Sequence, residues 1–191
     1  MNVRETQQRV ILNDGYVPEI KEAERTLSWY AVYAKSRHEF VAFHELHKKQ
    51  ISVFLPTMHK ISQWKDRRKL IEYPLFPGYL FVQVHPYPEE FLGVLKTRGI
   101  VTFISLEPGK PTPVAPEEID SLRILIESGK NIDVYPHLKE GTRIRIKSGP
   151  LKNAEGILSK RDNEYTFQVN VELLGRSVAI KVSAQELESL C

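Results

Sequence analysis

The segment Pro74-Leu75-Phe76-Pro77-Gly78-Tyr79-Leu80-Phe81-Val82 restricts the fold more than any other part of the chain. Pro74 and Pro77 stiffen its approach, and Gly78 permits a tight backbone turn just before Tyr79. If Tyr79 to Val84 is a strand, Tyr79 and Phe81 share one face while Leu80 and Val82 share the other. Both faces are then apolar. Either each lies under its own layer, or one is offered to a partner, since exposed apolar patches mark interfaces. Composition leaves these two readings balanced.

The surrounding pattern predicts an α+β unit, an antiparallel sheet with flanking helices. Trp29-Tyr30-Ala31-Val32-Tyr33-Ala34 has strand composition. Ser36-Arg37-His38-Glu39 reads as a capping box opening a helix to about Gln50, with Phe40, Phe43 and Leu46 as its buried stripe. Val53 to Pro56 and Gly99 to Leu106 read as extended, and Pro108 to Pro113 as a loop. Short helices are expected from Pro88-Glu89-Glu90 and from Pro116-Glu117-Glu118, the second ending at Gly129. Residues 28–128 form this unit. Residues 1–27 have little apolar periodicity and read as a flexible arm, and 129–138 as a linker.

From residue 139 to 191 the period changes to two. Thr142, Ile144 and Ile146 alternate with Arg143, Arg145 and Lys147, and Tyr165, Phe167, Val169 and Val171 with Thr166, Gln168 and Asn170. With glycine turns expected at Gly149, Gly156 and Gly175, this predicts a small all-β barrel.

No catalytic constellation is legible. His44-Glu45-Leu46-His47 spaces its histidines three apart, not the four of a zinc-protease helix, and no further ligand accompanies them. Gly149 to Gly156 lacks the Gly-Lys-Ser/Thr of a phosphate loop, and no Gly-x-Ser-x-Gly occurs. Neither enzyme activity, metal nor cofactor is expected. The lone Cys191 is terminal and allows no disulfide within the chain. No apolar run approaches the roughly 18 residues of a membrane span, and the mixed charges of the N-terminus do not form a signal peptide. The expected setting is cytoplasmic.

A net charge of +3 suits a chain that touches nucleic acid without holding it tightly, because each phosphate contact needs its own cation. Lys60 to Lys69, with Lys65, Arg67 and Arg68 around Trp64, is either a solvated hairpin tip or a nucleic-acid finger. Lys35, Lys48, Lys49 and Arg98 could form a second basic face, although cations at a helix C-terminus also answer its dipole.

Ser28 to Lys35, Leu75 to Val82 and Thr97-Arg98-Gly99-Ile100 resemble the N-terminal domain of NusG-type transcription elongation factors, closest in spacing to the RfaH and UpxY kind. Gly141 to Leu151, Gly156 and Leu174-Gly175-Arg176 resemble the KOW motif of the family's SH3-like barrel. The resemblance implies an RNA polymerase-binding domain whose aromatic pocket, here Tyr33, Phe76, Tyr79 and Phe81, grips the clamp helices of the large subunit. It implies that Lys35, Lys48, Lys49 and Arg98 meet non-template or upstream DNA, although Glu45 stands where the RfaH branch places a base-contacting histidine. It also implies that the barrel, through Leu173 and Leu174, recruits ribosomal protein S10 or the termination factor Rho. RfaH can fold its barrel segment as helices; Gly149-Pro150, Gly156 and Gly175 disfavour that here. The function implied is an operon-specific antitermination factor, acting as a monomer. The alternatives are a general elongation factor coupling polymerase to Rho or ribosome, and a ribosome-associated RNA-binding KOW protein. The last would need a basic barrel, whereas only ten Lys/Arg face eight Asp/Glu after residue 127.

Overall fold

The computed structural model describes residues 26–64, 67–136, 141–161 and 164–182. Most of the expected N-terminal arm, together with Lys65 and Cys191, lies outside the described residues.

The first sheet is antiparallel, ordered β2 (Ser52–Phe54), β5 (Tyr79–Val84), β1 (Ser28–Ala34), β6 (Ile100–Phe103), with β7 (Pro113–Val114) also paired to β1. The β1–β5 register sets Tyr33 opposite Tyr79 and Ala31 opposite Phe81. Period two then sorts the side chains into two separate clusters. Tyr30, Val32, Ala34, Leu80, Val82 and Val84 meet Ala42 and Leu46 of α1 (Glu39–Lys48) and Val94 of α2 (Pro88–Leu95). Trp29, Ala31 and Phe81 face the other way, into a cluster with Ile119, Leu122 and Leu125 of α3 (Pro116–Glu127). One sheet is thus covered on both sides.

β3 (Thr57–Trp64) and β4 (Arg67–Pro74) form a separate two-stranded hairpin, with Trp64 opposite Arg67 at its far end. Leu70 (62% exposed) and Ile71 (41%) lie open on it. The second antiparallel sheet runs β8 (Asp133–Pro136), β12 (Arg176–Val182), β11 (Glu164–Val171), β10 (Glu155–Arg161), β9 (Thr142–Arg145). Its apolar side carries Ile146, Phe167, Val169, Val178 and Ile180, all buried.

Several local expectations are corrected. Ser36 does not cap α1: the cap position is His38, and no side chain caps the helix. Arg37 takes a left-handed φ of 60°, which turns the chain before the helix starts, and Glu39 is used elsewhere. The buried face of α1 is Glu39, Ala42 and Leu46, while Phe40 and Phe43 are only partly covered. Gly156 is not a turn residue but lies within β10. The stretch expected as a linker contributes β8, which pairs with β12 from Val134↔Val178 outward. Polar Gln168, expected on an exposed face, is fully buried, and its amide has no hydrogen-bond partner among the described residues. Helix α3 packs along β10 and β11, so the second sheet has a neighbour that periodicity did not announce.

Candidate polymerase and nucleic-acid interface

The aromatic segment enters its strand through a corner built around Gly78. Its φ of +85° is open to glycine at little cost. A Cβ there would lie 2.8 Å from the Tyr33 ring, so the missing side chain is also what seats that ring. The Gly78 N–H donates to the buried Glu39 carboxylate at 2.8 Å, and the Gly78 carbonyl accepts from Ala34 N–H at 2.8 Å. Helix α1 and strand β1 therefore both hold the corner. A charge-assisted bond of this kind also satisfies a carboxylate that burial would otherwise penalise.

Of the four aromatics expected at the surface, the structure exposes two. Tyr33 is 38% exposed and Tyr79 half-buried, with ring centroids 5.4 Å apart. Phe76 and Phe81 have no exposed surface. Phe81 stacks on Phe54 at 6.1 Å, and the Arg123 guanidinium lies 5.0 Å from both the Trp29 and the Phe54 ring centroids. Phe76 and Phe81 therefore support the corner from within and do not present a contact surface in this conformation. The cause is α3, whose apolar residues share their cluster.

The basic face is partly assembled. Lys48 Nζ donates to Glu45 Oε1 at 2.8 Å. That bond and the Lys48 charge hold the exposed Glu45 carboxyl below its usual range, with Arg98 and Lys49 adding to the effect. The three cations thus gather around one acid. Lys49 Nζ, however, donates to Gly93 O (2.9 Å) and Thr97 Oγ1 (2.8 Å), tying the end of α1 to α2. Lys35 and Arg98 are exposed, and Lys35 N–H donates to Gly99 O at 2.8 Å. What reaches outward is less positive than the sequence suggests. Arg67 and Arg68 lie on β4 opposite Trp64 and Gln63.

Leu173 and Leu174 lie in a 3-10 turn, Glu172–Leu174, half-buried against the shared cluster, and Gly175 ends it with a left-handed φ of 59°. Leu173 borders a crevice with Leu106, Val114 and Glu118. The adjoining cavity of about 280 Å³ lies between α3 and the second sheet, among Glu117, Glu118, Arg143, Glu155, Asn170 and Glu172. Ser121 Oγ on α3 accepts from Glu155 N–H at 2.9 Å, joining the two units directly. Glu155 itself pairs with Arg145. None of this was legible from periodicity, because helix α3 and the sheet are adjacent only in space.

Burial pushes the Glu118 carboxyl up to about 7, helped by the Glu172 charge, while the Glu172 N–H and Arg143 oppose the shift. The packed state therefore holds this proton more tightly than an open chain does, where the value is near 4.5. Its contribution is fully present below about pH 4.5 and lost as the pH rises through about 7. Glu118→Gln is expected to flatten that loss and to gain roughly 1–2 kcal/mol at pH 8, after allowing for solvent screening of a half-exposed group. Urea midpoints of both proteins at pH 5.5 and 8 measure it; parallel pH dependences would rule it out.

A protein-family model described as transcription termination factor nusG matches residues 27–123. The Staphylococcus aureus protein named transcription termination/antitermination protein NusG is 30% identical over 177 residues, covering 85% of this chain and 95% of that one. The Borreliella burgdorferi protein of the same name is 29% identical over 143 residues, covering 70% and 78% respectively. A solved structure titled "Domain interaction in Thermotoga maritima NusG" is similar at a TM-score of 0.49 and 23% identity, covering 84% of this chain and 96% of that one.

Proposed function

This chain belongs to the NusG family of transcription termination/antitermination proteins, and on that premise we propose that it regulates transcript elongation by docking on RNA polymerase through the Tyr33–Tyr79 corner. The observation that carries this reading is that corner itself. Two tyrosines in mutual ring contact stay accessible at one corner of a sheet most of whose apolar groups are covered. Glu39, Gly78 and Ala34 fix the backbone beneath them. Tyrosine is among the residue types enriched at interface anchors, giving large contact area and a polar tip for little lost freedom. The receiving element on the polymerase is the pair of clamp helices of its large subunit, and bridging the clamp suppresses pausing. Docking then brings Lys35 and Arg98 to nearby non-template or upstream DNA at high effective concentration, which a chain of charge +3 needs. The protein works in the cytoplasm as a monomer.

The range of target genes follows from the basic face. Glu45, paired to Lys48, and Lys49, engaged at Gly93 and Thr97, reduce the charge available for reading one DNA element. That favours a general elongation factor, coupling polymerase to Rho or to ribosomal protein S10 through Leu173 and Leu174, over an operon-specific one. Those leucines are half-buried beside the first unit, so a partner gains full access when α3 and the second sheet separate.

The test is recovery of core RNA polymerase by the full chain. Tyr33→Ala/Tyr79→Ala is expected to lower recovery at least tenfold, since two interface anchors lost at more than about 1 kcal/mol each exceed that factor. Tyr33 is exposed and Tyr79 only partly buried, so the urea midpoint should move far less than on removal of a fully buried ring. Undiminished recovery would remove the docking reading.

A further inference from the structure

Phe76-Pro77-Gly78-Tyr79 is a hydrogen-bonded turn, in which Tyr79 N–H donates to Phe76 O at 3.0 Å. Proline stands at its second position, and the glycine at its third has a φ of +85°. That combination is the type II turn. Type I is its near relative, reached by flipping the peptide between the two central residues, which brings the third residue's φ to about −90°. Proline and glycine fit either form, so the four residues do not choose between them on their own.

The peptide that flips is the one carrying the Gly78 N–H. In the observed form that N–H donates to Glu39 Oε1 at 2.8 Å, from 39 residues away in the sequence. Glu39 is 6% exposed, and Gly78 is buried. Without the carboxylate, the type II form would leave a buried donor unsatisfied, whereas the type I form turns it elsewhere. Glu39 therefore favours the form in which the Tyr33 ring rests on Gly78, 2.8 Å from where a Cβ would stand. Tyr79 follows directly, so both docking rings take their places from this one peptide.

The start of α1 is held by other contacts as well. It lies against a second glycine corner, where a Cβ on Gly99 would stand 3.2 Å from His38 Cβ and 3.4 Å from Ala42 Cβ. Beside it, Lys35 N–H donates to Gly99 O at 2.8 Å. The helix thus keeps its place when the carboxylate is removed, and the turn is what changes.

Resting on the reading that polymerase docks at the Tyr33–Tyr79 corner, we propose that Glu39 is a positioning residue for that docking. Its carboxylate selects the type II form of the Pro77-Gly78 turn and so presents the two tyrosines together. It acts through the turn and touches no partner itself.

Glu39→Met and Glu39→Gln in the full chain test this, because both fill similar space and only glutamine keeps an oxygen that can accept the Gly78 N–H. Binding to immobilised core RNA polymerase gives the affinity, and the proton–nitrogen NMR resonance of Gly78 reports its hydrogen bond. Glu39→Met is expected to shift the Gly78 amide upfield and to weaken binding about fivefold, the factor that follows when the competent turn is populated about one time in five. Glu39→Gln is expected to restore most of both. A general loss of packing would instead lower the urea midpoint without that split in affinity. In the wild-type chain the Gly78 amide should exchange slowly with solvent; fast exchange overturns the proposal without any variant. Tyr33→Ala/Tyr79→Ala tells the positioning role apart from docking itself. Wild-type binding by that pair removes docking at the corner, and this role with it. Lost binding by that pair, beside wild-type affinity in a folded Glu39→Met, leaves the corner standing and overturns the role of Glu39. Glu39→Gln binding as weakly as Glu39→Met overturns it too.

Discussion

Phe81→Ala is expected to lower stability by about 3–5 kcal/mol, the usual range for removing a fully buried aromatic ring. Phe81 has no exposed surface and stacks on Phe54, over which Arg123 closes from α3. Removing the ring leaves a cavity at the point where sheet and helix meet, lined by groups too constrained to collapse into it. With a urea slope of about 2 kcal/mol per molar, the midpoint should fall by about 2 M. Tyr79→Ala, two residues away on the same face of β5, should move that midpoint far less because its ring is partly in water. The contrast separates two meanings of lost polymerase binding. Phe81→Ala would lose recovery in proportion to its unfolded fraction, whereas Tyr79→Ala would lose it while folded. A Phe81→Ala protein that unfolds at the wild-type urea concentration would mean that this ring is not a core residue.

Gly156→Ala carries the other large effect, although it adds only one methyl group. The new Cβ would stand 2.2 Å from the Gln168 carbonyl oxygen and within 3 Å of the Phe167 ring. The first of these is backbone in the adjacent strand, fixed by the ladder that sets Ile157 opposite Gln168. It cannot rotate away as a side-chain end would, so β10 and β11 must part locally. Overpacking of this kind reaches about 3 kcal/mol. The loss should appear in urea unfolding followed by far-ultraviolet circular dichroism, with a lowered midpoint and an unchanged slope. A midpoint within experimental scatter of wild type would show that the two strands stand further apart than described. The neighbouring burial of Gln168, whose amide has no hydrogen-bond partner among the described residues, gives this part of the sheet little to spare.

These two residues also mark the boundary of what the sequence could say. Period two in Tyr79-Leu80-Phe81-Val82 sorted correctly which residues share a face, because strand geometry alone enforces alternation. Leu80 and Val82 do meet the helices α1 and α2 side of the sheet. Whether the opposite face was open could not be read from the segment, since α3 arrives from more than 30 residues later. Gly156 likewise looked like a turn glycine, because a missing side chain serves a turn and a close strand approach equally well. Glu39 fitted a capping box by spacing, yet its carboxylate went to the Gly78 amide, a donor reachable only across the fold.

The aromatic segment and the alternating strands determined on their own an α+β unit followed by a β unit. Those features depend on backbone periodicity and composition, which act over a few residues. The tertiary structure alone decided that Tyr33 and Tyr79 stay accessible while Phe76 and Phe81 do not. It also decided that Lys49 is spent on α2. Exposure and charge clustering are properties of which elements pack together, and contacts between distant segments are not written in the local pattern of either one.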